Sequence, residues 1–118
     1  MIKKIILAAG LVFTYGVYGQ TPVDVAESSI KVGIMGEEFF YYGFAEGDQL
    51  VFSFQEANGK ELKEIEIVEM PGTSRFIAYK TNMVVNKKIK IPKTGIYKFR
   101  FTNTSIGTRI CNYKIQRI

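Results

Sequence analysis

Glu64 and Glu66 are the two carboxylates in this sequence best spaced for acid–base chemistry. On an extended strand they share a face about 6.8 Å apart, near the separation at which paired carboxyls flank a glycosidic bond. The same spacing describes an ordinary solvated strand face, and nothing else in the chain points to a hydrolase. The chain has no histidine. Its absence removes the commonest general base, the Ser–His and Cys–His nucleophile pairs and most zinc sites. Cys111 is the only cysteine. It lies on the inward face of an alternating strand and reads as a small buried apolar residue; the alternative is a surface thiol in a mixed disulfide with another chain. Glu37, Glu38, Glu46 and Asp48 offer hard oxygens for calcium, but no D-x-D-x-D-G loop holds them together, and turn chemistry accounts for Gly47-Asp48. The residues therefore predict a protein that is not an enzyme and has neither metal nor cofactor.

Residues suited to binding are of two kinds. Tyr41 and Tyr42 belong to the aromatic run Phe39 to Phe44 and would suit sugar stacking; a strand covered on both sides explains the run as well. Lys87, Lys88, Lys90 and Lys93 form the densest basic cluster. The charge along the chain is divided. Eleven carboxylates against three lysines give residues 20–70 a charge of −8, and eleven bases with no carboxylate give residues 71–118 a charge of +11. One reading pairs acidic with basic strands, Lys98 and Arg100 lying opposite Glu64 and Glu66. The other makes the basic half a patch for an anionic surface glycan or membrane surface. Internal pairing is the preferred reading. Nucleic acid is not an expected partner.

These residues need a scaffold, and the chain supplies one domain. Met1-Ile2-Lys3-Lys4 precedes an apolar run from Ile5 to Val17, and Gly19 stands before Gln20. A positive start, a short apolar stretch and a small residue at its exit make a signal peptide. The run falls short of the ~20 residues that span a bilayer. We expect residues 1–19 to be removed, leaving a domain of residues 20–118 with no transmembrane anchor, secreted or periplasmic in a bacterium. One cysteine allows no internal disulfide, so the core must hold the domain. A monomer is expected.

Period-two alternation recurs through the mature part, and no long segment has helical periodicity. Strands are expected at Ser28 to Ile34, Phe39 to Phe44, Gln49 to Gln55, Glu61 to Glu69, Arg75 to Tyr79, Lys88 to Ile91, Ile96 to Thr102 and Arg109 to Arg117. The segment Asn82 to Asn86 is left open. Leu50, Phe52 and Phe54 face one way, as do Ile65 and Ile67, and Tyr97, Phe99 and Phe101; Val68 is placed outward with Glu64 and Glu66. Asn58-Gly59 is the strongest hairpin signal. Seven to eight regularly spaced strands with one apolar face each predict an all-β, antiparallel sandwich.

The stretch Thr94-Gly95-Ile96-Tyr97-Lys98-Phe99-Arg100-Phe101-Thr102-Asn103 resembles the G-x-Y-x-F-x-F-x-N strand near the end of GOLD domains. Glu46-Gly47-Asp48-Gln49-Leu50-Val51-Phe52-Ser53-Phe54 resembles the turn into a strand of that family, and equally that of the secreted bacterial pre-peptidase C-terminal domains. The resemblance implies an antiparallel jelly-roll-like sandwich fold and a non-catalytic, protein-binding or accessory role, and it transfers no binding residue. The expected function is an exported binding module acting through protein contacts. The alternative is a domain that binds carbohydrate or the cell envelope through Tyr41, Tyr42 and the Lys87 to Lys93 cluster. The Asn103-Thr104-Ser105 sequon matters only in a glycosylating pathway.

Overall fold

The computed structural model describes residues 21–118, so the expected signal peptide lies outside the described residues. Eight antiparallel strands build the described part: β1 (Val23–Val32), β2 (Glu37–Phe44), β3 (Gln49–Glu56), β4 (Leu62–Glu69), β5 (Thr73–Thr81), β6 (Met83–Lys90), β7 (Gly95–Thr102) and β8 (Arg109–Arg117). They form two four-stranded sheets. Sheet I has the order β1-β8-β3-β6, and sheet II the order β2-β7-β4-β5. Only the β4–β5 link stays within one sheet; every other connection crosses between them. The alternation predicts a sandwich, and the strand orders make it a jelly roll.

The inward rows come together as the pleat requires. Leu50, Phe52 and Phe54 of β3, Ile65 and Ile67 of β4, and Tyr97, Phe99 and Phe101 of β7 are at most 2% exposed. Phe40 extends the aromatic core, with its ring centroid 5.2 Å from Phe99 and 4.6 Å from Tyr113, stacked on both. Cys111 and Ile115 of β8 close it from sheet I.

The structure departs from the sequence expectations at three places. β1 starts at Val23 and stops at Val32, so Ile34 lies in a turn. Residues 83 to 90 form a single strand, bent at Asn86, whose φ of 48° goes with a break in register against β3. Asn58-Gly59 does turn the chain, but it joins β3 to β4 across the two sheets and is not a hairpin. Val68 keeps the outer face expected of it, opposite Lys98, although it is buried there. At that point β5 carries one extra residue, because Ile67 faces Phe76 and Val68 faces Ser74. The extra residue is Arg75, which the bulge turns toward Glu69.

Candidate functional site

The Lys87 to Lys93 cluster lies along β6, the edge of sheet I, and the pleat divides it. Lys87 faces Phe52 across the ladder, on the inward side, and its Nζ sits 5.3 Å from the Phe76 ring centroid. Lys88 and Lys90 face Val51 and Gln49 on the outer side. Lys93 lies in the turn after β6, with its Nζ 3.3 Å from the Glu69 carboxylate. The four lysines therefore share no single face.

Tyr41 and Tyr42 point to opposite sides of sheet II. Tyr42 packs against the core, its ring edge-on to Phe40 at 5.5 Å. Tyr41 is 48% exposed. Its strand is one edge of sheet II, whereas β6 is the far edge of sheet I. Residues β1 and β2 lie on one flank of the sandwich and β5 and β6 on the other, so the structure does not bring Tyr41 to the lysines.

It gathers a different set instead. On the outer face of β2 and β7, Phe39 pairs with Arg100, Tyr41 with Lys98, and Gly43 with Ile96. Phe39, Tyr41 and Ile96 are 44%, 48% and 50% exposed. Phe39 and Tyr41 meet edge-to-face at 5.7 Å, and the Lys98 ammonium lies 4.3 Å from the Phe39 centroid, a cation–π geometry. Gly43 has no side chain to fill the space beside Ile96, whose Cδ1 lies 3.7 Å from where a Cβ would be. The sequence singled out Tyr41 for a different partner and passed over Phe39 and Ile96. Their signal was available in the parity of β2 and β7, but only a known pairing register turns parity into a shared face.

Beside this strip, Arg100 gathers carboxylates. Its guanidinium pairs with Glu66 and lies 3.4 Å from Glu64 and 3.6 Å from Glu37. Glu64 and Glu66, the pair spaced for acid–base work, thus both end on one cation. Arg100 stands opposite Glu66 in the ladder; Lys98 stands opposite Val68. The carboxylates considered for calcium are separated, since Glu37 and Glu38 open β2 while Glu46 and Asp48 follow its far end. Asp48 accepts the Ala45 N–H at 2.9 Å, closing its own turn. Among the described residues no group of three or more histidine, cysteine, aspartate or glutamate side chains is placed to hold a metal. No helix of the described residues is long and apolar enough to cross a membrane.

Three buried groups fix the framework. Glu56 is 1% exposed and accepts N–H bonds from Asn58, Lys60 and Ile110 at 2.8 to 3.0 Å. Burial alone would raise its carboxyl, but these donors and the Arg109 charge outweigh that and hold it below its ordinary value. Asn103 is also 1% exposed. Its amide donates to the Gly33 and Gly107 carbonyls and its oxygen accepts from Ser105 N–H. Both amide hydrogens are in use, so the sequon nitrogen is closed to modification in the folded chain. Burial, with the nearby Glu56 charge, pushes the Cys111 thiol up to about 12.

An open groove of about 410 Å³ crosses the outer face of sheet I. Within it Ser29 donates to Asn112, and Ser53 of its lining bonds to Asn86 of β6. No protein-family model matches the chain, and no curated protein matches it either.

Proposed function

We propose that this chain is an exported, non-enzymatic binding or accessory module that works through protein contacts, and that the outer face of β2 and β7 makes the contact. The observation carrying this reading is the strip of Phe39, Tyr41 and Ile96, half exposed and contiguous on a rigid sheet. Neighbouring exposed aromatic and aliphatic residues are characteristic of protein-binding surfaces, and Tyr and Phe are enriched there. Lys98 covers one face of the Phe39 ring, which favours a protein surface over a flat sugar-stacking platform. Export rests on the Lys3-Lys4 start and the apolar run behind it. The absence of histidine and the neutralisation of Glu64 and Glu66 by Arg100 support a role without covalent chemistry. The GOLD-like signature fits this role as a framework element. Its residues Tyr97, Phe99, Phe101 and Asn103 are all buried.

A photo-crosslinking residue placed at position 41 of the mature protein, and separately at position 88, tests this reading in cells. We expect a discrete adduct to a different protein from position 41, distinct in mass from two linked copies of this chain, and none from position 88. Adducts only from position 88, or from neither, would overturn it. The second reading, binding to an anionic envelope glycan, keeps Lys88 and Lys90. They share the outer side of β6, and neither has a carboxylate partner among the described residues. It predicts salt-sensitive retention on an acidic polysaccharide that a Lys88→Ala, Lys90→Ala variant loses.

A further inference from the structure

Each sheet ends in two edge strands, β1 and β6 in sheet I and β2 and β5 in sheet II. An edge leaves a row of backbone N–H and C=O groups free to pair with another chain, and proteins blunt such rows with bulges, lysines or inward charges. Three of the four edges are blunted. β1 breaks register between Asp24 and Ala26 and carries Asp24, Glu27 and Lys31. β5 bulges at Arg75 and bends at Lys80, with φ 46°. β6 bends at Asn86 and turns Lys87 inward over Phe76. By contrast, β2 runs from Glu37 to Phe44 in unbroken register against β7. It has no lysine and no proline, and its charge is confined to Glu37 and Glu38 at one end.

The ladder also identifies the free groups. The Asn103 N–H donates to the Gly36 carbonyl at 2.8 Å, which makes those two residues a hydrogen-bonded pair. Alternation along an antiparallel ladder then directs the backbone groups of Glu38, Phe40, Tyr42 and Phe44 to β7, and those of Glu37, Phe39, Tyr41 and Gly43 outward. The outward residues are the ones whose side chains lie on the exposed face of sheet II.

We propose that β2 pairs with β2 of a second copy of this chain, antiparallel about a two-fold axis, so that two copies of sheet II become one continuous sheet. The register that uses the whole strand centres on Phe40. It sets Phe39 opposite Tyr41 of the second copy, twice over, and Glu37 opposite Gly43. Cross-strand aromatic pairs stabilise such a ladder, and no carboxylates stand opposite one another. A two-fold contact consumes both free edges, so association stops at the dimer. The pair would double the Phe39–Tyr41 strip without covering it. The protein-contact reading does not depend on this pairing, since a monomer carries the same strip.

Sedimentation equilibrium of the mature protein, residues 20–118, over a series up to about 1 mM tests the proposal. We expect a monomer–dimer equilibrium with no larger species. Tyr41→Pro removes an outward N–H and no bond to β7, and Tyr41→Lys adds a charge at the centre of the contact. Each should weaken association by about tenfold or more while circular dichroism stays that of the wild type; if the proline variant fails to fold, the lysine variant carries the test. A wild type that stays monomeric throughout, that forms open polymers, or that dimerises equally well with Lys at position 41 would overturn the proposal. The first of those outcomes would leave the edge free for a strand from another protein, and the crosslinking experiment at position 41 would remain decisive for that reading.

Discussion

Single residues in this domain do their work by accepting or donating hydrogen bonds where water is excluded. Glu56 holds three N–H groups from the turn after β3 and the start of β8. Glu56→Gln keeps one acceptor but sets an amide NH2 against one of those donors. Hydrogen bonds to a charged group are worth about 1.5–3 kcal/mol, and we expect a loss of about that size at neutral pH. The carboxyl is held below its ordinary value in the folded state. Its contribution is therefore present above the ordinary carboxylate range and is lost as the pH falls through its folded value. Urea titrations at pH 7 and in acid check this, because the gap between variant and wild type should narrow in acid. Cys111 gives a second readout. It is fully buried and its thiol is pushed up to about 12, so a thiol reagent at pH 8 should label it only as fast as the domain opens. Rapid stoichiometric labelling of the native protein would contradict that placement.

At the scale of elements, β7 was the most legible strand, and its meaning is structural. Every second residue from Tyr97 to Asn103 is inward and buried, which is why its alternation could be read without a partner strand. Asn103 extends this row into the loop and ties residues 33 to 36 to residues 103 to 107. Asn103→Ala should cost about 1–3 kcal/mol, because it removes two donated bonds and the acceptor of the Ser105 N–H. Hydrogen exchange should quicken at the Met35 N–H, which bonds to Ser105 across those loops; unchanged exchange there would argue against the tie. The lysine cluster shows the opposite case. Spacing along β6 suggested one basic face, but strand parity and the bend at Asn86 send Lys87 inward and leave Lys88 and Lys90 outside. Asn58-Gly59 likewise marked a turn correctly and not its destination. Whether a turn makes a hairpin or crosses between sheets depends on pairings with strands far away in sequence, which local residue preference does not encode.

For the molecule as a whole, the acidic first half and basic second half turn out to meet within single clusters. Arg100 binds Glu37, Glu64 and Glu66, and Arg75 and Lys93 bind Glu69. The charge division visible in the sequence is thus partly internal pairing, as the strand order β2-β7-β4-β5 requires. With no disulfide, the two sheets are held by their shared apolar layer. Phe99, which touches Phe40, Tyr42, Phe44 and Phe52, sits at its centre. Phe99→Ala should cost about 3–5 kcal/mol in an unfolding titration, a large share of the stability of a domain this size. The proposed binding surface is left by what the fold does not cover, namely the outer face and free edge of β2. Residue-resolved amide hydrogen exchange along β2, in a dilute solution of residues 20–118, tests that claim most directly. We predict slow exchange at Phe40, Tyr42 and Phe44, which donate to β7, and fast exchange at Phe39, Tyr41 and Gly43, with protection appearing at those three as the concentration rises. Uniform protection in dilute solution, or uniformly fast exchange along the strand, would contradict the account.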